Sequence, residues 1–86
     1  MHTVDILEEA MAAAKHLGYR IREEWLGGDG GGSCVLRGQK WLFVDLALDT
    51  AERLELVASA LSAEPAAAQL AMSDTLRSRI AVRRSA

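Results

Sequence analysis

The sequence predicts one α+β domain: an N-terminal helix, a three-stranded antiparallel meander, a helix, then a short strand or helix and a C-terminal helix. Three observations predict it. Apolar residues recur at three- and four-residue spacing in several stretches, they alternate with polar residues between the first two, and glycines punctuate the middle of the chain.

The first helix is expected over residues 4–17, where Val4, Leu7, Met11, Ala14 and Leu17 form one apolar stripe. Thr3 is the expected N-cap, Asp5, Glu8 and Glu9 suit the early turns, and Gly18 suits the residue just past the end. Residues 19–26 alternate, with Tyr19, Ile21, Glu23 and Trp25 on one face and Arg20, Arg22 and Glu24 on the other, as in a half-buried strand. The run Gly27-Gly28-Asp29-Gly30-Gly31-Gly32 reads as a flexible loop.

Residues 33–37 and 40–46 read as a hairpin about Gly38-Gln39, since glycine at the first central position suits a type II′ turn. That register pairs Leu36 with Trp41 and Cys34 with Phe43, and places these four on one face. Val35, Leu42, Val44 and Leu46 fall on the reverse. Both faces are apolar, so both are expected to need cover.

Asp49 and Glu52 form a capping box for the second helix, whose inner stripe is Leu54, Val57, Ala58 and Leu61, flanked by Leu56 and Ala60. It should stop near Ala63, ahead of Pro65. Propensity makes residues 66–72 helical; alternatively residues 69–72 form a short fourth strand reached from the third through the second helix by a right-handed crossover. Ser73 or Asp74 then caps a last helix with Leu76, Ile80 and Val82 inward, fraying at about 83–86.

Eighty-six residues suit one domain spanning 1–86, with a core built from few large side chains because alanine dominates the apolar half. Thin cores of this kind often gain stability by self-association. The single cysteine, Cys34, excludes an internal disulfide framework and suits a reducing, cytoplasmic setting. Asp5, Glu8 and Glu9 break any N-terminal apolar run, so no signal peptide is expected, and no apolar run approaches the ~20 residues of a membrane span. Residues 1–76 carry six basic and twelve acidic side chains, whereas the last ten hold four arginines and no acid. The acidic body argues against nucleic-acid binding.

No chemical motif stands out. The glycine run lacks the Lys-Ser/Thr of a P-loop and precedes a strand rather than a helix. Cys34, opposite Phe43 on an apolar face, reads as a core thiol rather than a nucleophile served by His16 or His2. One Cys and two scattered His do not make a zinc site, and no cofactor or catalytic residue is expected. Glu23 and Asp45 fall in apolar rows and read as residues at the edge of the core. Trp25, Trp41 and Phe43 share a sheet face and, with Leu56, form the candidate interface. Arg77, Arg79, Arg83 and Arg84 complement a helix dipole or contact an anion.

The stretch from Cys34 through Asp45, followed by Glu52-Arg53-Leu54, resembles a group of small bacterial proteins that share a Cys-x-x-x-Gly hairpin, an apolar strand and a Glu-Arg-Leu helix. The resemblance covers about residues 30–62 and implies no activity. Ser73-Asp74-Thr75-Leu76-Arg77 stands where that group carries Pro-x-x-Arg.

The function expected from the residues is a non-enzymatic interaction module that forms a homodimer. The alternatives are an enzyme or enzyme subunit using Cys34 or nearby carboxylates, and nucleic-acid contact through the C-terminal arginines.

Overall fold

The structure is a computed structural model that describes the backbone of residues 2–85 and the side chains of residues 2–82. Arg83, Arg84 and the tail expected to fray at 83–86 lie outside the described side chains. The elements run α1 (Thr3–His16), β1 (Tyr19–Glu24), β2 (Gly31–Leu36), β3 (Gln39–Asp45), α2 (Thr50–Ser62), a short 3₁₀ helix (Pro65–Gln69) and α3 (Asp74–Ser85).

The class is α+β, but the sheet is mixed and not the expected meander. Its order is β1-β3-β2, with β1 parallel and β2 antiparallel to the central β3. The chain therefore leaves one edge of the sheet, crosses the end of β3, and enters at the opposite edge. That crossing spans two strand spacings, about 10 Å. It is the task of the glycine-rich segment.

β2 and β3 do form a hairpin. Its turn, however, is Arg37-Gly38 rather than Gly38-Gln39, with φ of 51° and 79°. Two positive φ values make a type I′ turn, whose twist suits the flanking strands as well as type II′ does. Leu36 faces Gln39, Cys34 faces Trp41 and Gly32 faces Phe43. Each β2 residue pairs two positions from where it was expected, and an even shift keeps every side chain on its expected face.

α1 and α2 lie over a single sheet face. Leu42 and Val44 of β3 join Ile6, Leu7, Ala10 and Ala14 of α1, Leu54, Val57 and Leu61 of α2, and Leu76 and Ile80 of α3 in one core. The stripe of α1 is rotated from the expected one: Ile6 and Ala10 are buried while Val4 is exposed. The N-cap is His2, without a side-chain capping bond, and not Thr3, which already lies in the helix. Gly18 closes the helix at φ 96° as expected. The capping box of α2 is formed in both directions, Glu52 N–H to Asp49 at 2.8 Å and Asp49 N–H to Glu52 at 3.0 Å.

After Pro65 neither expected form appears. Residues 65–69 make one 3₁₀ stretch that seats Ala67 in the core, and no fourth strand joins the sheet among the described residues. Ser73 caps α3 through its hydroxyl, which accepts from Leu76 N–H at 3.2 Å. Glu9 of α1 binds the same turn, accepting from Ser73 N–H and from Ser73 Oγ, each at 2.6 Å. Leu76 and Ile80 point inward, but Val82 is exposed because the core ends a turn earlier.

One polar group closes the core near the start of β1. Tyr19 is buried, its hydroxyl donates to Glu64 at 2.8 Å, and Lys40 Nζ reaches the same Glu64 oxygen at 3.2 Å. Burial first, then the bond and charge of Glu64, push the Tyr19 phenol up to about 12. A folded-state value above the ordinary 10.0 means that this contribution is whole below pH 10 and is lost as pH rises through about 12. Tyr19 is the chain's one tyrosine, so its ultraviolet titration is unambiguous. Phenolate absorbance should appear near pH 12 in the folded protein and near 10 after denaturation. Tyr19→Phe should cost about 1.5–3 kcal/mol at neutral pH, since the bond it removes goes to a charged acceptor.

A loop clamp and an open sheet face

β3 ends at Asp45, whose side chain is wholly buried beneath the crossing segment. Its carboxylate accepts four backbone N–H bonds. Oδ1 takes Ala47 at 2.9 Å and Leu26 at 3.0 Å, and Oδ2 takes Gly28 at 2.7 Å and Gly30 at 3.1 Å. The donors converge because Gly28 and Gly30 sit at φ 89° and 87°, where a side chain would be strained. These bonds, that of Ala47 foremost, outweigh burial and hold the Asp45 carboxyl down at about 2. The glycine-rich run thus does cradle an anion, and the anion is the chain's own. That occupancy removes the segment as a phosphate loop. It also explains why an acid ends the Trp41–Phe43 row.

The sheet face away from the helices has no cover in the protomer. Arg20 lies beside Trp41 and Arg22 beside Phe43 in the β1–β3 register, while Cys34 flanks Trp41 from β2. The Trp41 and Phe43 rings are nearly parallel, 17° apart in plane with centroids 6.0 Å apart. The Arg20 guanidinium carbon stands 5.7 Å from the Trp41 ring centroid, within cation–π range. Arg22 pairs with Glu24 at 2.9 Å. Arg37, Gln39 and Leu36 complete a shallow, open depression of about 590 Å³. Its volume falls in the range of ligand pockets, but its openness suits a surface partner better than an enclosed small molecule.

The expected interface residues are not brought together. Trp41 and Phe43 stack on the open face. Trp25 lies past the end of β1 in the crossing segment, 76 % exposed, because the strand stops at Glu24 to let the chain turn. Leu56 is half-buried against the core on the helical side. The expected core thiol, Cys34, is exposed: its neighbours on the open face have no layer above them. Leu46 follows β3, and Glu23 is exposed one residue before the end of β1.

Of the C-terminal arginines, Arg77 donates to Leu70 O at 2.7 Å and Arg79 pairs with Glu55 at 3.0 Å. Both are engaged within the chain. Three basic residues outside the predicted site set, Arg20, Arg22 and Arg37, do share a surface. Their signal was present as the polar face of the first strand and the hairpin tip, but only the strand order joins them.

Among the described residues no group of three or more His, Cys, Asp or Glu could hold a metal ion, and no helix is long and apolar enough to cross a membrane. No family model matches the chain, and neither does any curated protein or solved structure.

Proposed function

We propose that this protein is a small interaction module that forms a homodimer by antiparallel pairing of β2 with β2 of a second copy. The observation that carries the reading is the contrast between the two sheet edges. β1 presents Arg20, Arg22, Glu23 and Glu24 along its edge, the charged protection by which natural sheets avoid pairing. β2, Gly-Gly-Ser-Cys-Val-Leu, carries no charge and no proline. Val35 and Leu36 on it are 65 % and 52 % exposed. An uncharged edge strand of six residues is a template for strand addition.

Edge pairing about a two-fold axis perpendicular to the sheet joins two three-stranded sheets into one and keeps both helical layers on the same side. Pairing of the open faces against each other is less favourable, since it would oppose Arg20, Arg22 and Arg37 of both copies. An exposed, unpaired Cys34 fits a reducing compartment, and the reading includes a cytoplasmic setting.

Sedimentation velocity across the micromolar range tests the pairing. The wild type should shift from monomer to dimer, whereas Val35→Lys, which adds a charge to the edge at an exposed position, should stay monomeric with unchanged circular dichroism. A wild type that sediments as a monomer throughout the range contradicts the reading.

A further inference from the structure

We infer that the open face of the sheet is a platform for single-stranded nucleic acid, with Trp41 and Phe43 stacking bases and Arg20, Arg22 and Arg37 meeting phosphates. The argument begins with where the charges lie. Ten of the twelve acidic side chains belong to the helices, the loops and the helix-side row of the sheet, and Asp45, at the end of the open row, is sealed beneath the crossing segment. Only Glu24 remains on the open face, already paired with Arg22. A net acidic chain therefore presents a locally basic surface.

The aromatics add a second feature. Successive same-face residues of one strand stand about 6.7 Å apart. Trp41 and Phe43 hold their rings nearly parallel at that kind of spacing, on the central strand, with 6.0 Å between centroids. Rings set in this way on an exposed sheet, bordered by arginine, are how sheet-based modules take unstacked bases while leaving phosphates to the cations. An acidic peptide would satisfy the arginines but gain little from two nearly parallel, stacked rings on a surface without deep side-chain pockets. A duplex would offer the rings no free base face. Single strands satisfy both features.

The inference does not rest on dimerisation. Val35 belongs to the helix-side row, opposite Lys40, so the Val35→Lys monomer retains the platform. In the edge-paired dimer the two platforms become continuous and the affinity for a longer strand should rise.

The test is fluorescence anisotropy of labelled oligothymidylate and oligouridylate at low salt, with polyglutamate as competitor. The wild type should bind with a log–log salt slope of about −2, for three phosphates at ~0.7 each. Trp41→Ala and Phe43→Ala should each weaken binding about tenfold, as expected for loss of one stacked base. The double variant Arg20→Glu with Arg37→Glu alters only exposed side chains. It should abolish binding at unchanged melting temperature, and so reads the inference even if an aromatic variant unfolds. Val35→Lys should bind as a monomer, which separates failure of this inference from failure of the pairing. Absence of binding by the wild type at low salt overturns the inference. So does equal displacement by polyglutamate with indifference to the aromatic variants, or loss of binding on truncation after Val82 with indifference to every platform variant.

Discussion

Gly31→Ala is expected to destabilise the fold by more than about 3 kcal/mol, a large share of the roughly 4–13 kcal/mol open to a domain of this length. Gly31 opens β2 opposite Val44, where the incoming strand meets the centre of the sheet. A Cβ added there would overlap the Phe43 carbonyl oxygen and lie 2.7 Å from its carbonyl carbon. Both are backbone atoms of the central strand, so no rotamer change relieves the contact. The φ of 91° adds conformational strain. Gly27→Ala is the matched control, since Gly27 has a φ of 71° but nothing within 4 Å of its added carbon. It should cost about 1–2 kcal/mol. Denaturant unfolding of the two variants separates the steric part from the conformational part, and equal losses would contradict the account.

Asp45→Ala should be the second severe variant, lowering the melting temperature by roughly 10 °C or more. It removes the acceptor from the backbone N–H groups of Leu26, Gly28, Gly30 and Ala47 at once, and these bonds are partly shielded from solvent. Asp45→Asn keeps one oxygen but turns an amide toward two of those donors, so it should fall between wild type and alanine. The pH dependence follows in sign. The carboxyl is depressed from its ordinary 3.8 to about 2, so its contribution is whole above about pH 4 and is lost as pH falls through about 2. Wild type should lose stability across that window, and Asp45→Asn should lack this component.

These two positions show where the sequence was readable and where it was not. α2 was legible to its caps, because Asp49 and Glu52 form their box locally and the stripe through Leu54, Val57 and Leu61 repeats regularly. The hairpin was legible in its faces but not in its turn. Arg37 at φ 51° runs against residue preference, and the choice between two adjacent turns was decided by how β2 seats on β3. Strand order was not legible, because β1 meets β3 only through the path of the crossing segment. That path depends on Asp45, a residue far along the chain from β1 and marked only by being an acid in an apolar row. The same gap hid the open face: Arg20 and Arg22 looked like the solvated side of one strand, and net charge said nothing of their neighbours. Glu9, apparently one of several helix-start acids, holds the turn before α3 because the chain folds back onto α1.

Strand addition at β2 can be read directly from amide hydrogen exchange measured as a function of protein concentration. If copies pair there, the β2 amides that point away from β3 should slow as concentration rises through the micromolar range. The outward amides of β1 should not change, and Val35→Lys should erase the effect. Outward β2 amides that exchange at one concentration-independent rate, no slower than those of β1, would contradict pairing at this edge.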